Sequence, residues 1–290
     1  MALGDIVRAY GRHIAAQARS VRIDVDALEA LDPGDPPELD PQRHYLEGPA
    51  SDVADYFLVL DAINFGSGWF PTLRKRTGCS GYFTVAWSLA DRWRAGASWA
   101  PAQLRAMRSD EVAETLGQSR EHELMGLYAQ ALRELGRFLG ERRALDLVAV
   151  TGTSAQRLAE LLAGAMTLWQ DVGFYKRAQI AASDLALAGV AAFDDLDDLT
   201  IFADNLVPHV LRCEGVLVYE DGLAAHIDAG RLLRPGPQER EIRGCAVHAC
   251  AQIAQRTGMS ERDLDNALWY RGQLPEYKAR PRHRCRTVYY

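Results

Sequence analysis

The chain is short of cysteine, short of positive charge and free of long apolar runs, and each shortage narrows what it can be. Its five cysteines, Cys79, Cys213, Cys245, Cys250 and Cys285, form an odd set without a CxxC pair. Neither a disulfide framework nor a zinc site is expected from them. Lys plus Arg number 33 against 39 for Asp plus Glu, a net charge of −6. That balance argues against a protein that grips a phosphate polymer, which ordinarily carries a basic excess. No run of about 18 apolar residues occurs, and charges are scattered through the first twenty residues where a signal peptide would be apolar. The expectation is a cytoplasmic protein without a membrane span. The GxxxxGK(S/T), GxGxxG, GxSxG and HExxH patterns are also missing. P-loop hydrolysis, dinucleotide binding, the α/β-hydrolase elbow and zincin chemistry therefore have no support, and neither a cofactor nor a metal is expected.

What is present is helical periodicity. At 290 residues and 48% hydrophobic content the chain can build a substantial core. Helices are expected over Gly4–Arg19, Asp52–Phe65, Cys79–Trp93, Arg120–Gly140, from Ser154 to about Asp171, over Gln238–Thr257, and from Ser260 to Gly272. Ser51 reads as the cap of the second of these, and Thr153 with Gln156 as a capping box. Ala144–Val150 suits either strand or helix. GVLVY (Gly215–Tyr219) followed by Asp221-Gly222 reads as a small β-hairpin. The segment from Leu31 through Pro49 holds five prolines, which impose a loop, and that loop carries His44 and Tyr45. No repeat or linker divides the chain, so one mainly α domain over 1–290, with about a dozen helices, is expected.

The stretch from Tyr175 to Pro208 concentrates the candidate chemistry. Asp204 stands in the apolar run TIFADNLVP (Thr200–Pro208), where a carboxylate must be paired, hydrogen-bonded or used. It can cap the helix that follows, act on a substrate, or do both. Lys176 and Arg177 beside Tyr175 suit a phosphate contact or are surface charges. Asp265 and Trp269, four apart, share a helix face and can stack on a heterocycle while accepting from its amino groups. Alternatively, Trp269 belongs to the core. The acids of FDDLDDL (Phe193–Leu199) read as a solvated turn, and Asp61 is an acid in a buried helix.

Taken in order, DAINF (Asp61–Phe65), YKRAQI (Tyr175–Ile180), TIFADNLVP, EREIR (Glu239–Arg243), DNALW (Asp265–Trp269) and the terminal RCRTVYY resemble the queuosine salvage family. The resemblance runs from about His44 to Tyr290. Members of that family are described as queuosine 5′-phosphate N-glycosylases that release the base queuine. The resemblance implies a helical fold related to DNA glycosylases, acting on a mononucleotide rather than a duplex. It points to Asp204 as the catalytic group, and to His44, Phe202, Asp265 and Trp269 as pocket residues. Because the queuine aminomethyl group is a cation, a second carboxylate is expected at the base, with Asp265 and Asp61 as candidates. Lys176 is the candidate for the 5′-phosphate, with the basic tail Lys278–Arg286 in reserve. The partners expected are a small-molecule substrate and product, with no nucleic-acid polymer and no membrane, and the protein is expected to act as a monomer. Two alternatives remain: a non-catalytic carrier of queuine or of queuosine-containing tRNA, and a glycosylase for damaged DNA suggested by fold analogy alone.

Overall fold

The helix Ala50–Ala62 is apolar on almost every face because other helices surround it, and every residue from Tyr56 to Ala62 is buried. In the computed structural model, which describes residues 1–290, it belongs to an assembly of fifteen α-helices, three short 3-10 turns and a single two-stranded ribbon. The mainly α architecture is the one expected from periodicity. Ser51 does not cap this helix. The turn begins one residue earlier, at Ala50 after Pro49, and the Ser51 hydroxyl donates instead to Asp52. Asp55 has an external use: it accepts from the Arg143 guanidinium at 2.7 Å and from Ala144 N at 2.9 Å. By holding that first N–H, Asp55 helps settle Ala144–Thr151 as a helix.

The second buried helix, Lys176–Leu187, packs against the first and buries the small residues Ala178, Ala181 and Ala182. Its first turn supplies cations to the end of its neighbour. Arg177 Nη1 donates to Ala62 O at 2.5 Å, and Lys176 Nζ to Asn64 O at 2.8 Å, meeting carbonyls that a helix C-terminus leaves without partners. Arg177 is wholly buried between the Phe65 and Trp169 rings and donates further to Leu168 O and Val288 O. It is a structural cation that cannot reach a phosphate.

Elsewhere the N-terminal helix Leu3–Gln17 lies across the long helix Pro237–Thr257 at a crossing that requires glycine on both sides. A Cβ on Gly11 would stand 2.7 Å from Val247 Cγ1, and one on Gly244 2.6 Å from Ile14 Cγ2. The antiparallel ribbon forms, but not as a local hairpin: Leu217–Tyr219 pairs with Val21–Ile23, with Val21 opposite Tyr219. Asp221-Gly222 opens the helix Asp221–Asp228 instead of a turn, because the Glu220 carboxylate accepts from Gly222 N and Leu223 N and so caps it. Ser154, rather than Thr153, caps the helix Ala155–Ala165, which is shorter than expected. The acidic turn is less free than a solvated one. Asp195 accepts from Ser154 Oγ and Ala155 N, both at 2.6 Å, and Asp194 from Thr153 Oγ1 at 2.5 Å. No helix is long and apolar enough to cross a membrane.

Candidate functional site

Between Thr200 and Leu206 the chain is buried yet belongs to no helix or strand, so side chains must take its backbone groups. Thr200 N donates to Gln179 Oε1 at 2.9 Å and Phe202 N to Asp265 Oδ1 at 2.8 Å. Ala203 O accepts from Arg243 Nε at 2.7 Å, and the Asn205 side chain donates to His283 O at 3.0 Å. These four contacts come from three helices and the C-terminal tail. They fix the backbone on either side of Asp204.

Asp204 itself is half-buried. Its Oδ1 accepts from Leu206 N at 2.6 Å and Val207 N at 3.1 Å, at the start of the helix Val207–Cys213. Its Oδ2 has no hydrogen bond within the chain, and the residue lines a cleft. The capping role and a role toward a ligand thus fall on different oxygens of one carboxylate.

The cleft is a chain of three spaces. The first, the inner chamber, is lined by His44, Tyr82, Asp184, Phe202, Asp265 and Trp269. A middle chamber includes Ser67, Ser80, Asn205 and Arg282. Asn64, Tyr82, Lys176, Asp204 and Trp269 line both, so Asp204 and Lys176 stand at their junction. Beyond Arg282 a wide basic vestibule opens to the surface.

Charge in the inner chamber is unbalanced. Three acids, Asp184, Asp204 and Asp265, face one cation, Lys176. Burial pushes the Asp184 carboxyl up to about 7 against the pull of Lys176. It raises Asp265 well above the usual carboxylate range, with Asp204 adding to the effect. Burial likewise lowers the Lys176 ammonium to about 8, opposed chiefly by Asp204. Such a site is electrostatically short of a positive charge. Asp265 has one oxygen committed to Phe202 N, whereas the Asp184 carboxylate accepts no hydrogen bond from the chain.

The aromatic wall is Tyr82 and Trp269, edge to face with ring centroids 5.2 Å apart. His44 extends this wall beside Tyr82, with ring centroids 6.0 Å apart. Its Nδ1 lies 3.1 Å from Asp40 O and must donate to it, which leaves Nε2 to accept from the Tyr82 hydroxyl at 3.1 Å. Burial holds this imidazole down at about 4, so it is neutral. The proline-rich loop that carries it is anchored by Arg94, which donates to Pro41 O at 2.9 Å, Gln42 O at 3.3 Å and His44 O at 2.8 Å.

Six of the seven residues expected from the sequence, His44, Lys176, Phe202, Asp204, Asp265 and Trp269, meet at this cleft. Asp61 does not. It is fully buried behind Asn64, accepting from the Asn64 side chain at 3.3 Å, and burial together with Asp184 pushes its carboxyl well above the usual carboxylate range. It stands one layer behind the wall and cannot meet a ligand directly. Asp184, Asn64 and Tyr82 were not expected, and Arg282 was expected only as one of the basic tail Lys278–Arg286. The signal for Asp184 was present: Lys176, Ile180 and Asp184 are spaced four apart, share one helix face, and all line the inner chamber. No group of His, Cys, Asp and Glu residues is placed to hold a metal ion.

Residues 43–290 match the family model described as queuosine salvage protein. The chain is 33% identical to a queuosine 5′-phosphate N-glycosylase/hydrolase of Sphaerobacter thermophilus, over 96% of each chain. It is 28% identical to a relative of the same name from Nematostella vectensis over 82% of each chain. A Mus musculus relative, also of that name, is 32% identical over 55% of this chain and 56% of its own.

Proposed function

The chain belongs to the queuosine salvage family, and from that premise we propose that it hydrolyses the N-glycosidic bond of queuosine 5′-phosphate, releasing queuine and ribose 5-phosphate. The observation that carries this is the place of Asp204, whose unbonded oxygen stands at the waist between an acidic, aromatic-walled chamber and a chamber that leads to cations. A nucleotide laid through the waist puts its base inside, its phosphate outside and its glycosidic bond beside that oxygen.

Stretching the bond builds positive charge on the ribose, as in glycoside hydrolysis. A fixed carboxylate next to the anomeric carbon stabilises that charge and orients or deprotonates the incoming water. Lys176, held by Asn64 O and Oδ1, faces the sugar end of the cleft. The base stacks on Trp269 and Tyr82, with Phe202 and His44 completing its walls. Its amino groups reach the free oxygen of Asp265, and its aminomethyl cation pairs with Asp184, the carboxylate without a partner of its own. A substrate bearing one cation supplies the positive charge the chamber lacks.

Mass spectrometry of purified protein with queuosine 5′-phosphate tests the proposal: free queuine and ribose 5-phosphate are expected. Tight retention of the intact nucleotide without cleavage would support a carrier instead.

A pH dependence follows from Asp184. Its folded-state carboxyl lies above its unfolded value, so the native protein binds the extra proton and loses stability as pH rises from about 4 to 7. Pairing with the substrate cation requires the ionised form, so KM should fall over the upper part of that window. Asp184→Asn is expected to raise KM roughly 10- to 100-fold at pH 8, the worth of a charge-assisted contact. The same variant should flatten the decline in melting temperature between pH 5 and 8. Unchanged KM at pH 8 would remove Asp184 from substrate binding.

A further inference from the structure

The vestibule outside the middle chamber has a volume of about 540 Å³, and none of its lining residues is an acid. Five cations line it: Lys75, Lys278, Arg280, Arg282 and Arg284. Two of these are occupied. Arg280 reaches Asp228 at 3.5 Å and Arg284 donates to Gly230 O at 3.4 Å. Lys75, Lys278 and Arg282 have no carboxylate within ion-pair distance and make no hydrogen bond to the chain through their charged groups. They also oppose one another: after burial, the lowering of Lys75 comes from Arg282 and Arg284, and that of Lys278 from Arg282, Arg43 and Lys75. Ser80 and Gly81 on the facing wall begin the helix Gly81–Arg94, whose positive end adds to the same field. Three cations without an ion-pair partner, around a space with no acid in its lining, form an anion site.

Its position gives it an order. Arg282 borders both the middle chamber and the vestibule, so it is the first cation beyond Asp204, while Lys75 and Lys278 line the vestibule alone. We infer that the vestibule is a phosphate subsite deeper than one phosphate: Arg282 takes the phosphate carried by the sugar, and Lys75 with Lys278 take a second anionic group joined to it. A nucleoside 5′-diphosphate is therefore a ligand as well as the monophosphate. The direction of the ligand rests on the function proposed above, but the anion site does not.

Titration calorimetry with inorganic phosphate and pyrophosphate separates the two. Pyrophosphate is expected to bind the wild-type protein at least about tenfold more tightly than phosphate, the gain from added charge-assisted contacts. Lys75→Ala combined with Lys278→Ala should bring pyrophosphate down to the level of phosphate, and Arg282→Ala should weaken both. Circular dichroism confirms that each variant is folded. Equal binding of the two anions, or binding indifferent to these substitutions, overturns the inference. In turnover, queuosine 5′-diphosphate is expected to equal or exceed the monophosphate in kcat/KM, and a tenfold preference for the monophosphate counts against the second phosphate position. If pyrophosphate binds as expected but no nucleotide is cleaved, the anion site stands and the proposed activity falls.

Discussion

Asp204→Asn is expected to lower turnover of queuosine 5′-phosphate by about 10³-fold or more, roughly 4 kcal/mol of transition-state stabilisation, while the protein stays folded. The two halves of that expectation come from the two oxygens. Oδ1 caps the helix Val207–Cys213 through Leu206 N and Val207 N. An asparagine side-chain oxygen caps a helix as well as aspartate does, so the local backbone has no cause to move. Oδ2 faces the cleft, and an amide in its place carries no negative charge to answer a ribosyl cation and cannot accept a proton from water. The effect should fall on kcat more than on KM, since the interaction strengthens only as the bond stretches. Single-turnover kinetics beside a thermal melt check both halves. Asp204→Ala, which also removes the cap, should cost about 1 kcal/mol of stability in addition.

Arg243→Met is expected to be the most damaging substitution for the fold, at about 3–5 kcal/mol, with a fall in melting temperature on the order of 10 °C. Arg243 is buried, lies over the Phe174 and Tyr290 rings, and pairs with Asp171 through contacts of 3.0 and 2.5 Å. Asp171 also accepts from Lys176 N, and Arg243 Nε holds Ala203 O. One ion pair therefore ties the start of the Lys176 helix to the residue before Asp204. Met fills much of the volume but leaves Asp171 as a buried charge without its cation and Ala203 O without a donor. Asp171→Asn in the Arg243→Met background should recover part of the stability, because the stranded charge is then gone. Activity should not return with it, since Ala203 O still lacks its anchor.

How much of this was legible beforehand depended on how local the cause was. The periodicity of Leu124, Leu132, Leu135 and Leu139 marks the helix Glu123–Leu139 in the residues themselves, and the isolation of Asp204 among apolar neighbours singles it out. The ordered motifs brought together His44, Lys176, Phe202, Asp265 and Trp269 from distant parts of the chain, which spacing alone does not do. What failed was whatever depended on a remote partner. Leu217–Tyr219 was visibly a strand, but its partner Val21–Ile23 lies almost two hundred residues away, and the Glu220 cap competes with the turn that Asp221-Gly222 suggests. Asp61 and Arg177 carry charge in motif positions, yet the fold spends Arg177 on carbonyls and seals Asp61 behind Asn64. Arg282 lies in a basic tail where several arginines look alike. Only the packing of that tail against Asn205 and the middle chamber distinguishes it.

The central claim is tested most directly by a crystal structure of the Asp204→Asn protein soaked with intact queuosine 5′-phosphate. The expected result is an anomeric carbon in contact with the side chain at position 204, at about 3–3.5 Å, with the base against Trp269 and its ammonium on Asp184. A ribose held away from position 204, or a base lodged in the vestibule with the phosphate inside, would contradict the account.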